Sequence, residues 1–212
     1  MAIAVDTPQG PARAHLHPVD EPRAALVLGH GAGGGVTSRD LAAVTGIALD
    51  AGVSVALVEQ PYRVAGRRSP APVGKLDISW TAVIDHLAAD ELRGLPLIVG
   101  GRSLGARVAC RTAAATGAAG VLCLAFPLQP PRRSGSAPSQ SRLAELDAVS
   151  VPTLVVQGER DPFGMPPSGP SRTVVRVPGD HSLRTDVEAV AAAARAWLPR
   201  IVAQAAGVAY EQ

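Results

Sequence analysis

The sequence predicts an α/β fold, in which a mostly parallel sheet has helices on both faces. Short apolar runs are typical of buried parallel strands, and they occur near residues 24–28, 53–58, 96–100, 120–125, 152–157 and 173–177. Longer segments, most of them rich in Ala and Leu, are typical of helices, and they occur near residues 38–51, 78–93, 104–117, 141–147 and 184–205. The two kinds of segment alternate along the chain, as they do in proteins built on a parallel sheet.

The chain has the length of one domain. Its 212 residues can bury a sizeable core, so we predict a single domain over residues 1–212. Residues 1–23 form a leading segment before the alternating series. Within it, residues 2–6 and 12–17 are candidates for a short hairpin.

Composition argues against two classes of partner. No run of 18 apolar residues is present, so we predict no membrane span. The net charge is +2, aromatic residues make up only 3% of the chain, and the adjacent arginine pairs are short. Nucleic-acid binding favours a longer basic stripe with aromatic stacking partners, so we predict no nucleic-acid partner.

The cysteines and the first residues bear on the cellular location. Cys110 and Cys123 fall on a predicted helix and a predicted strand, where cysteine behaves as a small apolar residue. Residues 1–6 lack the basic and long apolar parts of a secretory signal. We therefore expect a cytoplasmic protein, and the bias toward Ala, Arg and Gly suggests a bacterial genome rich in G and C.

The most informative motif is Gly101-Arg102-Ser103-Leu104-Gly105, which fits G-x-S-x-G. It follows the predicted strand that ends near residue 100 and opens an Ala-rich helical segment. In this context the motif predicts a tight turn that exposes a nucleophilic serine above the sheet. The alternative to a nucleophilic serine is that the motif forms only a glycine turn between a strand and a helix.

A serine nucleophile needs a general base and a group that orients the base. In this arrangement the acid and then the histidine follow the serine along the chain. His181 is the only histidine after Ser103, and it lies on a loop after the last predicted strand. Asp161 follows the strand before it, so the two side chains can meet at one sheet edge. We predict Ser103, His181 and Asp161 as the catalytic residues.

Other acids compete with Asp161. Glu159 lies closer to its strand, where its side chain is less free to cross over. Asp180 is adjacent to His181, and neighbouring side chains in a loop rarely face each other. Asp161 could also serve only as a turn residue before proline, and His181 as a structural histidine.

The tetrahedral intermediate of acyl transfer needs an oxyanion hole of backbone N–H donors. One donor follows the nucleophile, at Leu104. The other is expected in the glycine-rich loop after the first parallel strand, Gly29-His30-Gly31-Ala32-Gly33-Gly34-Gly35, at Ala32. We expect His30 to have a structural role in this loop.

The same loop admits a second interpretation. Gly29, Gly31 and Gly34 fit the dinucleotide fingerprint G-x-G-x-x-G, and Glu59 ends the next strand. That interpretation leaves the serine, acid and histidine unexplained. Acyl transfer explains the glycines as well, so we favour it.

Two longer loops also follow strands and are expected to overhang the serine. The first runs from Glu59 to about Lys75 and the second from Phe126 to Gln140. The second is too short to hold a helical cap domain, so a shallow, open site is expected. Candidates for contact with the substrate are Tyr62, Arg63, Arg67, Arg102 and Gln129, with Arg68, Arg132 and Arg133 as further arginines in or beside these loops.

Taken together, these residues resemble the α/β-hydrolase superfamily from Ala24 onward. Four segments are similar to a compact, capless branch related to the dienelactone hydrolases, whose animal relatives include a testis-expressed protein and a subunit of a chromatin-acetylating complex. These segments are QPYRVAGRR, GGRSLGAR, FPLQPP and QGERDPFG. Members of this branch often have histidine where this sequence has Gln129.

The resemblance implies a serine hydrolase with Ser103, Asp161 and His181 as its triad, without a metal or organic cofactor. We expect hydrolysis of carboxylic esters or thioesters of small or anionic molecules. The alternative is a non-catalytic binding or scaffold protein on the same fold, because some relatives serve as complex subunits. The sequence does not specify an oligomeric state.

Overall fold

The computed structural model describes residues 1–130 and 140–207. These residues form strands β1 to β8 and helices α1 to α6. In chain order the elements are β1 (Ala2–Val5), β2 (Ala12–His17), β3 (Ala24–Gly29), α1 (Arg39–Asp50), β4 (Val53–Glu59), α2 (Pro61–Val64), α3 (Val73–Ala89), β5 (Leu97–Arg102), α4 (Leu104–Thr112), β6 (Gly120–Leu124), α5 (Leu143–Asp147), β7 (Thr153–Gly158), β8 (Arg172–Val177) and α6 (Val187–Ala205).

One eight-stranded sheet has the order β1-β2-β4-β3-β5-β6-β7-β8. The strands from β4 to β8 in that order run parallel to their neighbours. β2 is antiparallel to β4, and β1 and β2 pair as an antiparallel hairpin at the edge. The α/β fold class predicted from the alternating segments is confirmed.

The core lies in two layers, one on each face of the sheet. Successive residues of β3 alternate between them: Ala25 and Val27 belong to the layer under α3, α4 and α5, whereas Leu26 and Leu28 belong to the layer under α1 and α6. Because both faces are covered, every residue of β3 is buried, as parallel strands require.

Several helix boundaries differ from the prediction: α3 ends at Ala89 instead of near residue 93, and α4 ends at Thr112 instead of near residue 117. α3 begins at Val73 instead of near residue 78, because the first turn carries Leu76, which is only 2% exposed and packs into the core. The short helix α2 lies in a segment predicted as loop, and it begins with Pro61, whose fixed φ suits a first helical position.

The cysteines behave as the sequence predicts. Cys110 and Cys123 are both free and buried, with their Sγ atoms 3.5 Å apart between α4 and β6. The hydrogen bond with Cys110 and burial raise the pKa of the Cys123 thiol, so this group stays protonated. None of the helices in the described ranges is long and apolar enough to cross a membrane.

Three glycines let β3, β5 and α4 approach one another closely. A Cβ atom on Gly101 or on Gly105 would collide with the carbonyl oxygen of Gly29. A Cβ on Gly29 would lie 3.2 Å from the Cα atom of Gly105. The end of β5 and the start of α4 can therefore meet the end of β3 only if Gly101 and Gly105 lack side chains, and Gly29 leaves little room for one.

This contact predicts opposite effects for two substitutions. Gly105→Ala should lower the free energy of unfolding by about 1–3 kcal/mol, as overpacking does. Gly46→Ala should raise it by up to about 1 kcal/mol, because Gly46 lies within α1 and a Cβ there meets no atom within 4 Å. Urea unfolding of both variants measures the difference, and a stable Gly105→Ala variant would contradict the close contact.

Candidate active site

Ser103 stands at a strained turn between β5 and α4. Its φ of 52° and ψ of −104° lie outside the regions that L-residues favour, and such strain persists only where the surroundings impose it. Here the surroundings include the Ser103 amide, which donates to the carbonyl oxygen of Leu124 at 2.8 Å, and the Gly105 amide, which donates to that of His30 at 3.1 Å. Neighbouring strands thus hold the turn from both sides.

The side chains of Ser103, His181 and Asp161 form a continuous hydrogen-bonded chain. Nε2 of His181 lies 2.9 Å from Oγ of Ser103, and Nδ1 lies 2.8 Å from Oδ2 of Asp161. Because a carboxylate oxygen can only accept, Nδ1 carries the proton and Nε2 is left to accept from the serine hydroxyl. The structure therefore brings together the three residues that the sequence selected.

The carboxylate of Asp161 is buried and fully engaged. Its side chain is 1% exposed. Oδ1 accepts from the Phe163 amide at 2.8 Å, and Oδ2 accepts from Nε2 of Gln157 at 2.8 Å as well as from His181. In a site shielded from water these hydrogen bonds are stronger than at the surface, so they fix the direction in which the carboxylate faces the imidazole.

Gln157 was not among the residues that the sequence singled out. It is fully buried at the end of β7, where its side chain also donates to the carbonyl oxygens of Phe126 and Gly164. The available signal was a glutamine in the otherwise apolar run Thr153–Gly158. A polar side chain in such a strand needs partners, and here they include the loop that carries Asp161.

The competing acids lie elsewhere. Glu159 is exposed. Asp180 accepts at Oδ1 from the amide and the hydroxyl of Ser182, at 2.8 and 2.6 Å. Those hydrogen bonds lower the pKa of Asp180. Its carboxylate therefore closes a local turn next to His181, whereas Asp161 faces the imidazole.

His30 has the structural role that the sequence predicts. It is 2% exposed, and its Nε2 accepts a hydrogen bond from the backbone amide of Gln60 at 3.2 Å. Nδ1 must therefore carry the proton, which it donates to the carbonyl oxygen of Gly31 at 2.8 Å. Burial lowers the pKa of His30, so the ring stays neutral and holds the glycine-rich loop.

Tyr62 supports the same loop from α2. Its hydroxyl donates to the carbonyl oxygen of Ala32 at 3.1 Å, and its ring packs against that of His30 with centroids 5.7 Å apart. Burial raises the pKa of Tyr62 to about 12, so the hydroxyl remains a donor. Tyr62 thereby fixes the carbonyl side of Ala32, the residue predicted to supply one oxyanion donor.

Arg102, which directly precedes Ser103, has two partners within the protein. Its Nη2 donates to the backbone carbonyl of His181 at 2.8 Å, and its Nε donates to Oδ2 of Asp40 at 3.2 Å. The Asp40 side chain is only 1% exposed. Arg102 thus connects the histidine loop to α1, and no sequence feature of Asp40 indicates that it takes part.

The imidazole of His181 is also packed from one side. The ring of Phe163 lies 4.3 Å from it between centroids, at an interplanar angle of 40°. Since Phe163 is also the residue whose amide binds Asp161, one short loop both orients the acid and restrains the histidine.

The other candidates for substrate contact have varied surroundings. Arg67 is exposed, and Arg63 is half-buried near His30 and Tyr62. The side chain of Gln129 is exposed, and its backbone amide donates to the carbonyl oxygen of Phe163. Arg68 is exposed as well. Arg132 and Arg133 lie outside the described residues. Whether any of these side chains contacts a substrate stays a prediction.

Glu59, which entered the dinucleotide interpretation, is engaged by β2. Its Oε2 lies 2.9 Å from Nε2 of His15 and 3.7 Å from Nη1 of Arg13. In the described part of the chain, no group of three His, Cys, Asp or Glu side chains is arranged to hold a metal ion.

A strand–serine–helix turn with histidine and aspartate at the carboxyl ends of later parallel strands defines a class of α/β proteins. The family model described as the Alpha/beta hydrolase domain matches residues 22–201. The chain therefore belongs to the α/β-hydrolase family, as its motifs predict. A sequence search of curated proteins found no match.

Solved structures share the fold at low identity. One is XC6422 from Xanthomonas campestris, described as a serine hydrolase without a lid, with 19% identity, a TM-score of 0.75 and coverage of 94% of each chain. Dienelactone hydrolase from Anabaena variabilis has 18% identity and a TM-score of 0.75, with coverage of 94% of this chain and 96% of that one. Est1E from Butyrivibrio proteoclasticus, solved with ferulic acid, has 16% identity and a TM-score of 0.76, with coverage of 95% and 99%.

The hydrogen bond from Gln157 to Asp161 predicts a role in positioning. Gln157→Met should lower kcat/KM for an ester by about 10- to 100-fold, the effect of losing a hydrogen bond to a charged group. Thr153→Val is the matched control, because it removes a buried hydrogen bond at the other end of β7. Thr153→Val should lower stability without a comparable loss of rate. Equal losses of rate in both variants would contradict the positioning role.

Burial of His30 predicts that stability depends on pH. The pKa of the folded ring lies below its ordinary value of 6.5, so the unfolded chain binds a proton that the folded chain does not. The stability that comes from this site is present above pH 6.5 and is lost as the pH falls below it. Tm should drop between pH 7.5 and 5.5, and His30→Gln should reduce that drop. His86→Gln, at an exposed position on α3, should not.

Proposed function

We propose that this protein is a serine hydrolase that cleaves carboxylic esters or thioesters through an acyl-enzyme. The observation that carries the proposal is the hydrogen-bonded chain from Asp161 through His181 to Ser103, at a strained turn that exposes the serine. A nucleophile, a base and an orienting acid in this geometry are what acyl transfer requires.

In the proposed reaction, Oγ of Ser103 attacks the substrate carbonyl while Nε2 of His181 takes the hydroxyl proton. The imidazolium then returns this proton to the leaving alkoxide or thiolate as the bond to the carbonyl carbon breaks. A water molecule, deprotonated by His181, then attacks the acyl carbonyl. The bond between the acyl carbon and Oγ of Ser103 breaks as His181 returns the proton to Oγ, and the acid leaves. Asp161 holds the imidazole in the productive tautomer throughout and stabilises its positive charge.

Backbone amides would stabilise the oxyanion of each tetrahedral intermediate. Leu104 is the first residue of α4, where amide groups lack partners within the helix. Ala32 lies in the loop that His30 and Tyr62 hold in place. Pre-aimed donors of this kind are worth about 2.7–4 kcal/mol each in related chemistry.

The substrate is proposed to be small. Only 18 residues (143 − 124 − 1) separate the end of β6 at Leu124 from the start of α5 at Leu143, which leaves no room for a helical cap domain. Without a cap, a long acyl chain finds little apolar wall near Ser103. Each CH₂ group contributes about 0.8 kcal/mol only where it is removed from water.

A basic cavity supports the proposal of an anionic substrate. A cavity of about 220 Å³ is lined by the glycine-rich loop, Ser182 and three arginines, Arg39, Arg102 and Arg184. Asp40 is its one carboxylate and pairs with Arg102, whereas Arg39 and Arg184 have no ion pair within the described residues. Its lining includes Arg102, which donates to the backbone carbonyl of His181, and Ser182, the residue after His181, so the cavity lies beside the histidine loop. Arginine suits a carboxylate or a phosphate.

Two substitutions test the nucleophile and the acid. Ser103→Ala should abolish ester hydrolysis and labelling by a fluorophosphonate probe while leaving the fold intact. Asp161→Asn should lower kcat by about 10⁴, the effect of neutralising a triad aspartate. Ser141→Ala, at a serine on the surface before α5, is the control and should keep both activities. Absence of labelling in the unmodified protein would favour the scaffold alternative.

A set of p-nitrophenyl esters tests the substrate class. The butyrate should be cleaved faster than the octanoate, and the hemisuccinate, which carries a carboxylate, should have a higher kcat/KM than the butyrate. Arg39→Gln or Arg184→Gln should lower kcat/KM for the hemisuccinate about ten-fold and leave the butyrate unchanged.

Arg195→Gln, at an exposed pair on α6, is the matched control for loss of charge. If all three arginine variants behave alike while the butyrate is still hydrolysed, the anionic preference is wrong but the serine mechanism stands.

A further inference from the structure

One cavity of the described residues lies away from the hydrogen-bonded chain. It has a volume of about 490 Å³ and is enclosed by the segment before β2, by α2 and the residues after it, and by the first turns of α3. Ser103, Asp161 and His181 do not line it. The lining includes Gln60, which follows β4, and in the sheet β3 separates β4 from β5, which carries the serine.

The walls combine buried apolar groups with positive charge. Tyr62 and Leu76 are 3% and 2% exposed and form part of the apolar surface, together with Pro61 and Val64. The charged residues of the lining are Arg67 and Lys75, and the lining contains no carboxylate. Neither cation forms an ion pair within residues 1–130 and 140–207. The cavity therefore presents an uncompensated double positive charge.

The position of Lys75 adds a second argument. It is the only lysine of the chain, and it lies in the first turn of the 17-residue helix α3, which has no acidic residue in that turn and no side-chain cap. The start of a helix carries a partial positive charge, so the exposed Lys75 is slightly unfavourable there, and a bound anion would offset this cost. An anion in this cavity would meet Arg67, Lys75 and the helix start together.

The volume limits what kind of anion fits. About 490 Å³ lies within the range of about 300–1,000 Å³ that is typical of small-molecule sites. A bare inorganic anion would leave most of that space, and all of its apolar wall, in contact with water. A molecule with one anionic group and an apolar body of a few carbon atoms satisfies both the cations and the wall.

We propose that this cavity binds a small organic carboxylate at a site separate from the catalytic serine, with Arg67 and Lys75 binding the carboxylate. The proposal goes beyond the proposed function, and its binding experiment does not depend on hydrolysis.

The cavity is also linked to the active site. Tyr62 lines the cavity, and its hydroxyl donates to the carbonyl oxygen of Ala32. Gln60 also lines the cavity, and its backbone amide donates to Nε2 of His30. A ligand packed against Tyr62 therefore acts on the loop that carries the proposed oxyanion donor.

Calorimetric titration with 4-phenylbutyrate tests the site directly. The protein should bind one equivalent, and its neutral amide, 4-phenylbutanamide, should bind at least ten-fold more weakly. Arg67→Gln combined with Lys75→Gln should weaken 4-phenylbutyrate binding about ten-fold or more. Arg68→Gln is the matched control, because Arg68 neighbours Arg67 and does not line the cavity, and it should leave the affinity unchanged. Absence of binding, or equal effects of the two sets of variants, would overturn the proposal.

Two further measurements separate this site from the substrate site. Ser103→Ala should bind 4-phenylbutyrate with unchanged affinity. In ester hydrolysis the compound should change kcat, and Tyr62→Phe, which removes the hydroxyl that reaches Ala32, should abolish that change while binding persists. Purely competitive inhibition, with kcat unchanged and only KM raised, would place the carboxylate in the substrate site and overturn the separation. If no ester is hydrolysed at all, the proposed function fails and the titration still decides this proposal.

Discussion

The contact among Gly29, Gly101 and Gly105 is the constraint on which the rest of the site depends. It lets the chain leave β5, turn within one residue and enter α4 directly against the end of β3. That proximity forces Ser103 into a conformation that an isolated chain would avoid. It also puts the start of α4 beside the glycine-rich loop, because the Gly105 amide donates to the carbonyl of His30. One packing contact therefore positions both the serine and the glycine-rich loop.

The same edge of the sheet is held together by polar contacts between elements that are far apart in the chain. Arg102 connects the serine turn to the backbone of His181 and to Asp40 on α1. Gln157 connects β7 to the carboxylate of Asp161. Gln157 and Asp40 are both shielded from water, which strengthens their hydrogen bonds and makes an unpaired partner costly. Buried polar groups therefore support the acid from β7 and the histidine loop from α1.

The fold and the three central side chains could be predicted from the sequence because both leave local signals. Alternating apolar segments reveal a parallel sheet, and the glycines around Ser103 reveal the turn. His181 and Asp161 could be predicted because the carboxyl ends of parallel strands lie at one edge of the sheet. Asp40 leaves no such signal, because it is an ordinary acid in the first turn of α1 and its partner Arg102 lies 62 residues later. Gln157 leaves a weaker signal, a polar residue in a buried strand, which does not reveal its partner Asp161. Such pairs are defined only by the three-dimensional packing.

The surroundings of the arginines also could not be predicted from the sequence. The sequence pointed to arginines in the loops after β4 and β6, because loops at that edge are expected to face the site. Arg67 lines a cavity beside α2 and α3, whereas Arg39, at the start of α1, and Arg184, in the loop between β8 and α6, line a second cavity together with Arg102. A loop's place in the chain fixes which strand it follows but not which way it folds over the sheet. Here the short helix α2 turns the loop after β4 toward α3, with Tyr62 anchored under the glycine-rich loop, and this separates two basic cavities that the sequence could not distinguish.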